Sequence, residues 1–220
     1  MFDSIILLAG KGERSGLKYN KVFYRLDDKP LFQFSLEKFL EVPLCRKVVL
    51  VCREDEISSV KAMVSEIPNL EFAVGGKYRQ DSVKAGMEKC SSQVVLIHDG
   101  ARPFIECAEI EKVYQATLRS KAAVLAARPV DTIAEVRDSY RTLERNNLWR
   151  ILTPQGVNRN LYLKAVELAE KEAYYGTDDV GLLEKYLKIN PEIVPGSEKN
   201  IKITTERDLL YLEFLSRRDK

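Results

Sequence analysis

Four short runs of unbroken apolar residues constrain this chain more than anything else in it: Ile5-Ile6-Leu7-Leu8, Val48-Val49-Leu50-Val51, Val94-Val95-Leu96-Ile97 and the small-residue run 122–127. Each is short and lacks the polar alternation of a half-exposed strand, so each reads as a buried strand. Between them, apolar residues recur at helical spacing. Phe32, Leu36, Phe39 and Leu40 do so after Pro30; Ile57, Val60, Met63, Val64 and Ile67 mark a second helix. Residues 79–89 carry Val83, Gly86 and Met87 on one side, and Ile110, Val113, Thr117 and Leu118 give a fourth helix. Leu70 to Val74 adds a short strand ending at Gly75-Gly76. Strands alternating with helices through short turns predict right-handed βαβ units, a three-layer α/β fold on a mainly parallel sheet.

The alternation breaks near Pro129. Residues 132–136 alternate in polarity, 137–139 resemble a turn, and 140–145 return, which predicts an inserted β-hairpin. A lone two-stranded hairpin is marginal in water, so this one needs support, and a second subunit is a plausible source. Helical spacing resumes over Leu161, Leu163, Ala165, Val166 and Leu168, and again over 182–187. Ile201-Lys202-Ile203 reads as a last short strand. Thr205, three residues before Asp208, is placed to cap a closing helix of Leu209, Leu212 and Leu215. With 220 residues, 45% of them apolar, a single domain over 1–220 with one sizeable core is expected.

Composition closes off other classes. A formal net charge of +2 argues against a nucleic-acid binder. Cys45, Cys52, Cys90 and Cys107 are scattered without a C-x-x-C, which fits free thiols in a reducing compartment. No apolar run approaches membrane-spanning length, and the start lacks a basic-then-apolar signal; the expectation is a cytoplasmic protein with no membrane partner.

Polar residues and glycines collect where the strands end. In open parallel sheets, ligands bind beyond the carboxyl ends of the strands. Four segments load that edge: 10–21, 75–82, 98–102 and Thr132. The first is Ala9-Gly10-Lys11-Gly12-Glu13-Arg14-Ser15-Gly16, with Lys21 shortly after. Its glycines allow tight turns and close approach to a ligand, its amides suit a polyphosphate, and Arg14 and Lys21 add two cations. The spacing is neither G-x-G-x-x-G nor the P-loop pattern, and the same glycines would serve an ordinary strand-to-helix turn. Asp99 suits a turn, a ribose hydroxyl or Mg²⁺ beside a triphosphate. Gly75-Gly76 with Ser82 serves a turn or a slot for a flat base. The sole histidine, His98, reads as structural, and Arg102 is placed to pair with Asp99. Arg79, Arg145 and Lys202 read equally as surface cations, though Lys202 sits between two isoleucines.

Taken in order, these motifs form a longer pattern: Leu8-Ala9-Gly10-x-Gly12-x-Arg14 with Lys21, Gly75-Gly76 through Asp81-Ser82-Val83, His98-Asp99-x-x-Arg102-Pro103, Asp131-Thr132, Arg145-Asn146-x-Leu148-Trp149 with Thr153-Pro154-Gln155, Thr177-Asp178, and Asn200-Ile201-Lys202-Ile203-Thr204. Over nearly its whole length the chain resembles the 2-C-methyl-D-erythritol 4-phosphate cytidylyltransferase family. The resemblance implies a Rossmann-like nucleotidyltransferase fold. It also implies transfer of CMP from CTP to a polyol phosphate with Mg²⁺ or another divalent cation, and a homodimer joined through a β-arm at about 130–150. It implies that Arg14 and Lys21 stabilise charge at the α-phosphate, and that Ala9, Gly10 and Gly12 wrap the phosphates. Gly76 and Ser82 would recognise cytosine; Asp99 and Gly100 would hold ribose, with Asp99 also a candidate metal ligand. Arg102, Thr132, Arg145, Thr177 and Lys202 would surround the acceptor, with Arg145 and Lys202 aiming its phosphate. Thr132 and Arg145 would serve the partner's site. Leu8, Ser15, Asn20, Val22 and Gly100 depart from the family's usual residues, and the changes flanking Lys21 remove its alignment anchors. A relative acting on ribitol 5-phosphate would share all but the acceptor pocket.

Overall fold

The computed structural model describes residues 1–10 and 19–218. β1 (Phe2–Leu7) starts the chain, and a small ribbon of β2 (Arg25–Leu26) and β3 (Lys29–Pro30) leads into α1 (Leu31–Glu41). β4 (Cys45–Cys52), α2 (Ile57–Met63), β5 (Leu70–Val74), α3 (Arg79–Lys89), β6 (Val94–Asp99), α4 (Cys107–Ser120) and β7 (Ala122–Ala127) follow. The hairpin β8 (Ala134–Val136) and β9 (Tyr140–Thr142) interrupts this series. β10 (Arg150–Asn158), α5 (Arg159–Lys171), α6 (Val180–Leu187), β11 (Glu192–Pro195) and α7 (Glu206–Arg218) complete it.

Seven strands form one sheet in the order β11-β7-β10-β6-β1-β4-β5. β1 pairs in parallel with β4 on one side and β6 on the other, so the strand order reverses at β1. That reversal is the crevice where ligands of open α/β sheets bind. The period-2 geometry of each strand divides its apolar residues between two cores. Ile6, Val48, Leu50 and Leu96 face α1, α2 and α4 through Phe32, Leu36, Phe39, Val60, Ile110 and Val113. Ile5, Val49, Val51, Val95 and Ile97 face α3, α5 and α6 through Val83, Met87, Tyr162, Val166, Leu182 and Leu183. Helices on both faces of the sheet give the expected three layers, and the unbroken apolar runs follow from burial on both faces.

The structure departs from the sequence expectations in several places, the unexpected strands β2, β3 and β11 among them. β10 is a central strand, antiparallel to β6 and β7, where no strand was expected. Pro154 hid it, because proline cannot donate to a ladder; its pairing with β7 breaks between Ile151 and Gln155, around that residue. The expected strand over 201–203 joins no sheet; Ile203 N donates to Ala101 O at 2.8 Å. α2 stops at Met63 rather than running to Ile67; Val64 N bonds back to both Val60 O and Lys61 O, and Pro68 follows. The closing helix is capped as expected: Asp208 Oδ2 accepts from Thr204 N and Thr205 N at 2.7 and 2.8 Å.

Gly156 is where α4 packs most closely on the central strand. A Cβ there would lie 1.9 Å from Thr117 Oγ1 and 2.9 Å from Leu96 Cδ2. Gly156→Ala should destabilise the fold by about 1–3 kcal/mol through overpacking, and Thr117→Ala in the same chain should recover part of the loss. Urea unfolding of both variants measures this; a Gly156→Ala midpoint equal to wild type would contradict the packing.

Candidate active site

A cleft of about 920 Å³ opens at the carboxyl ends of β1, β4, β5 and β6. Ala9 and Gly10 continue β1 into it; Asn20, Lys21 and Val22 border it from the other end of the glycine segment. Arg53 enters after β4; Gly76, Lys77, Tyr78, Arg79 and Ser82 enter after β5; Asp99 and Ala101 enter after β6. Lys202 reaches it from the extended chain before α7. Among the described lining residues, five are cationic (Lys21, Arg53, Lys77, Arg79, Lys202) and only Asp99 is acidic. Such a lining selects a polyanion.

Asp99 organises the wall. Lys202 Nζ stands 2.9 Å from its Oδ2, Arg79 Nη2 3.6 Å from its Oδ1, and Arg102 Nε 3.6 Å from its Oδ2. Burial alone would raise the Asp99 pKa; Arg79, Lys202 and Arg102 outweigh it and hold the carboxyl well below the usual carboxylate range. Arg79 is also bound through Nη1 to Asp179 Oδ2 at 2.6 Å, and the paired carboxylates raise its pKa against the opposing effect of burial. Asp179 accepts from Tyr162 Oη at 3.2 Å, and Gln155 Oε1 accepts from the Asp179 and Val180 amides at 2.8 and 3.0 Å. Arg102 Nη1 donates to Asn200 O at 2.8 Å, and Asn200 Nδ2 donates to Thr153 O at 2.9 Å. On the opposite side, Ser82 Oγ accepts from Gly76 N at 3.1 Å. A Cβ on Gly76 would fall 2.3 Å from that of Asp81, so only glycine lets the chain pass there.

The cleft thus brings together Ala9, Gly10, Lys21, Gly76, Ser82, Asp99 and Lys202. Gly100 and Arg102 lie buried just behind it, Gly100 donating from its amide to Leu7 O at 3.0 Å. Thr132, Arg145 and Thr177 are exposed and do not line it. Arg145 donates to Val130 O at 3.0 Å at the base of the hairpin. Gly12 and Arg14 lie outside the described residues. Sequence reasoning did not find the double bridge made by Arg79, the bracing by Gln155 and Asp179, or the contribution of Arg53 and Tyr78. Nothing local marks Arg79, Gln155 and Asp179, because their partners are remote in sequence. No group of three or more His, Cys, Asp or Glu that could hold a metal stands among the described residues, and no described helix is long and apolar enough to cross a membrane.

The chain matches the family model for 2-C-methyl-D-erythritol 4-phosphate cytidylyltransferase over residues 3–218. It is 39% identical over 218 residues to the enzyme of that name from Shouchella clausii, covering 96% of this chain and 95% of the relative. Among solved structures it is similar to 4-diphosphocytidyl-2C-methyl-D-erythritol synthase from Anaerococcus prevotii, with TM-score 0.90, 25% identity and 99% of each chain covered. The 2-C-methyl-D-erythritol 4-phosphate cytidylyltransferase of Thermus thermophilus is similar at TM-score 0.80 and 28% identity, covering 99% of this chain and 100% of that one.

His98 lies behind the cleft wall, fully buried. Its Nε2 donates to Arg102 O at 3.1 Å, since a carbonyl only accepts; Nδ1 then accepts from Thr153 Oγ1 at 3.0 Å. Burial pushes its pKa down to about 4. An unfolded chain protonates histidine near 6.5, so stability is lost as pH falls from about 6.5 towards 4, at up to about 1.4 kcal/mol per pH unit. As the sole histidine, its ring gives one set of NMR resonances, which should not titrate between pH 8 and pH 5.5. A midpoint near 6.5 in the folded protein would contradict this environment.

Proposed function

The chain belongs to the 2-C-methyl-D-erythritol 4-phosphate cytidylyltransferase family, and from that premise we propose how its residues divide the work. The reaction transfers CMP from CTP to 2-C-methyl-D-erythritol 4-phosphate, giving 4-diphosphocytidyl-2-C-methyl-D-erythritol and pyrophosphate. A phosphate monoester is mostly dianionic at pH 7, its second pKa being about 6, so the nucleophile needs no general base. The difficulty is that one polyanion must attack another. The observation that carries the reading is the excess of five cations over one carboxylate among the described lining residues at the strand-order reversal.

The acceptor phosphate oxygen attacks the CTP α-phosphorus in line; the new P–O bond forms as the bond to the β-phosphate bridging oxygen breaks and pyrophosphate leaves. Lys21 and Arg14 stabilise the charge that develops there. Amides of Ala9, Gly10 and Gly12 wrap the phosphates. Gly76 and Ser82 read the cytosine through backbone and hydroxyl groups, and Asp99 with Gly100 holds the ribose. Lys202 faces the acceptor, with Arg102 behind the wall and Thr177 at the loop outside the cleft; Lys202 is 40% exposed and among the described residues its ion pair is with Asp99, so it can exchange that partner for the incoming phosphate. Asp99 would be the protein carboxylate nearest a Mg²⁺ brought by the triphosphate, and such an ion would supply neutralisation of phosphate charge.

The chain acts as one cytidylyltransferase domain and dimerises through the arm at about 130–150. Support comes from the arm's exposed apolar residues, Val130 at 65% and Val136 and Tyr140 at 71% each. Thr132 and Arg145 lie outside this chain's own cleft, which fits their serving the partner's site. No described helix suits a membrane, which agrees with a cytoplasmic enzyme.

A pyrophosphate-release assay with CTP, Mg²⁺ and either methylerythritol phosphate or ribitol 5-phosphate tests the reaction; turnover with ribitol phosphate alone would overturn the acceptor. Lys21→Ala and Arg14→Ala should each lower kcat ~10²–10³-fold. Arg145→Ala and Lys202→Ala should raise KM for the acceptor more than for CTP, and equal effects on both would count against their positioning role.

A further inference from the structure

Asn20 precedes Lys21 and makes a set of contacts that the assignments above leave unused. It is 4% exposed. Its Nδ2 donates to the Leu8 carbonyl at 2.5 Å and to Glu56 Oε2 at 3.2 Å. Its Oδ1 accepts from Val22 N at 3.4 Å, capping the single 3-10 turn Lys21–Phe23. The Leu8 carbonyl can only accept, which fixes the orientation of the amide. Leu8 itself is anchored in the sheet, its N–H donating to Val51 O at 2.8 Å. The turn that carries Lys21 is therefore fastened by one side chain to the end of β1 and to the residue before α2.

We propose that Asn20 is a positioning residue for the reaction: its amide ties the Lys21 turn to β1 and so fixes where the Lys21 ammonium meets the CTP phosphates. The inference rests on the role given to Lys21 above. A lysine is a point charge on a flexible four-carbon stem, so the position of its backbone sets where its ammonium can reach. Electrostatic stabilisation acts through charges that are already in position when the reaction begins. Lys21 is 9% exposed and borders the cleft, so a shift of its turn moves the ammonium relative to the substrate rather than being absorbed by solvent. The Asn20–Leu8 bond joins residues twelve apart in the sequence.

Two substitutions separate the tether from the cap. Asn20→Ala removes both. Asn20→Ser keeps a capping oxygen for Val22 N but is too short to reach Leu8 O. Under steady-state conditions, with CTP and acceptor in excess over enzyme, kcat and both KM values are measured for these variants, for Lys21→Ala and for the double variant Asn20→Ala/Lys21→Ala; melting temperatures are recorded alongside. Both Asn20 variants should lose ~10²-fold in kcat, as expected for a displacement of about 1 Å, with the effect falling on kcat rather than on either KM. In the Lys21→Ala background, Asn20→Ala should add no further loss, a non-additivity that a merely structural role would not produce. Wild-type kcat in a folded Asn20 variant, or losses that multiply in the double variant, would overturn the inference. If Asn20→Ala melts below the assay temperature, Asn20→Ser carries the measurement. Should Lys21→Ala turn over at the wild-type rate, the role of Lys21 falls and that of Asn20 with it. Should Lys21→Ala collapse while both Asn20 variants keep wild-type kcat, the Asn20 inference falls alone.

Discussion

One carboxylate allows three cations to share a wall of this cleft. Without Asp99, the charges of Arg79, Arg102 and Lys202 would face one another in a partly dry site, and like charges at such distances repel strongly. With it, part of that positive charge is offset and the wall stays net positive before any ligand arrives. The three partners are not equivalent. Arg79 has a second and shorter bond to Asp179, and Arg102 is buried and holds Asn200 O. Lys202 is more exposed, and its ammonium is the one closest to Asp99. A polyanion entering the cleft therefore meets two cations fixed by other bonds and one that can change partners.

The scaffold behind the wall is the antiparallel strand β10. Thr153 meets His98 and, through its hydroxyl, accepts from the Asp99 amide at 3.2 Å; its carbonyl accepts from Asn200. Two residues on, Gln155 holds the start of α6 through the amides of Asp179 and Val180. The same region is joined to the start of α3 by three successive residues. Tyr78 stacks on Tyr175 with ring centroids 3.8 Å apart, Arg79 binds Asp179, and Gln80 Oε1 accepts from Gly176 N at 3.2 Å. The start of α3, on the Gly76–Ser82 side of the cleft, and the loop bearing Thr177 are thus parts of one bonded unit.

Much of this was legible from the sequence, for a physical reason. A strand covered on both faces by helices must be apolar throughout, so β1, β4, β6 and β7 announce themselves, and the polar residues that break each run mark the ligand edge. Asp99, Gly76 and Ser82 were singled out by that logic; Thr132, named by the same logic, lies outside the cleft, and Lys202 drew notice instead from its place between two isoleucines and from the family resemblance. β10 was not, because Pro154 and the polar residues around it imitate a loop; its central place depends on β6 and β7, which lie far off in sequence. Ile201-Lys202-Ile203 erred the other way: two isoleucines flanking a lysine look like a strand, yet Ile203 is buried with Leu31, Leu209 and Leu212 beneath α7 rather than in a sheet. Arg79 looked like a surface cation because neither of its carboxylate partners is near it in the chain.

The one imidazole shows how the chemistry is apportioned. His98 sits one residue from Asp99, but its side chain points to the opposite face of β6, against Phe39 at 5.3 Å between ring centroids, and burial keeps it neutral. Both ring nitrogens are spoken for, by Arg102 O and Thr153 Oγ1. It cannot reach a proton in the cleft, and a phosphate nucleophile that is already ionised does not require it to. What the imidazole does instead is hold the turn from Asp99 to Arg102, the same turn whose carboxylate gathers the cations. In this wall, proton chemistry has been moved behind the sheet and charge placement left in front, which is the arrangement that attack of one anion on another demands.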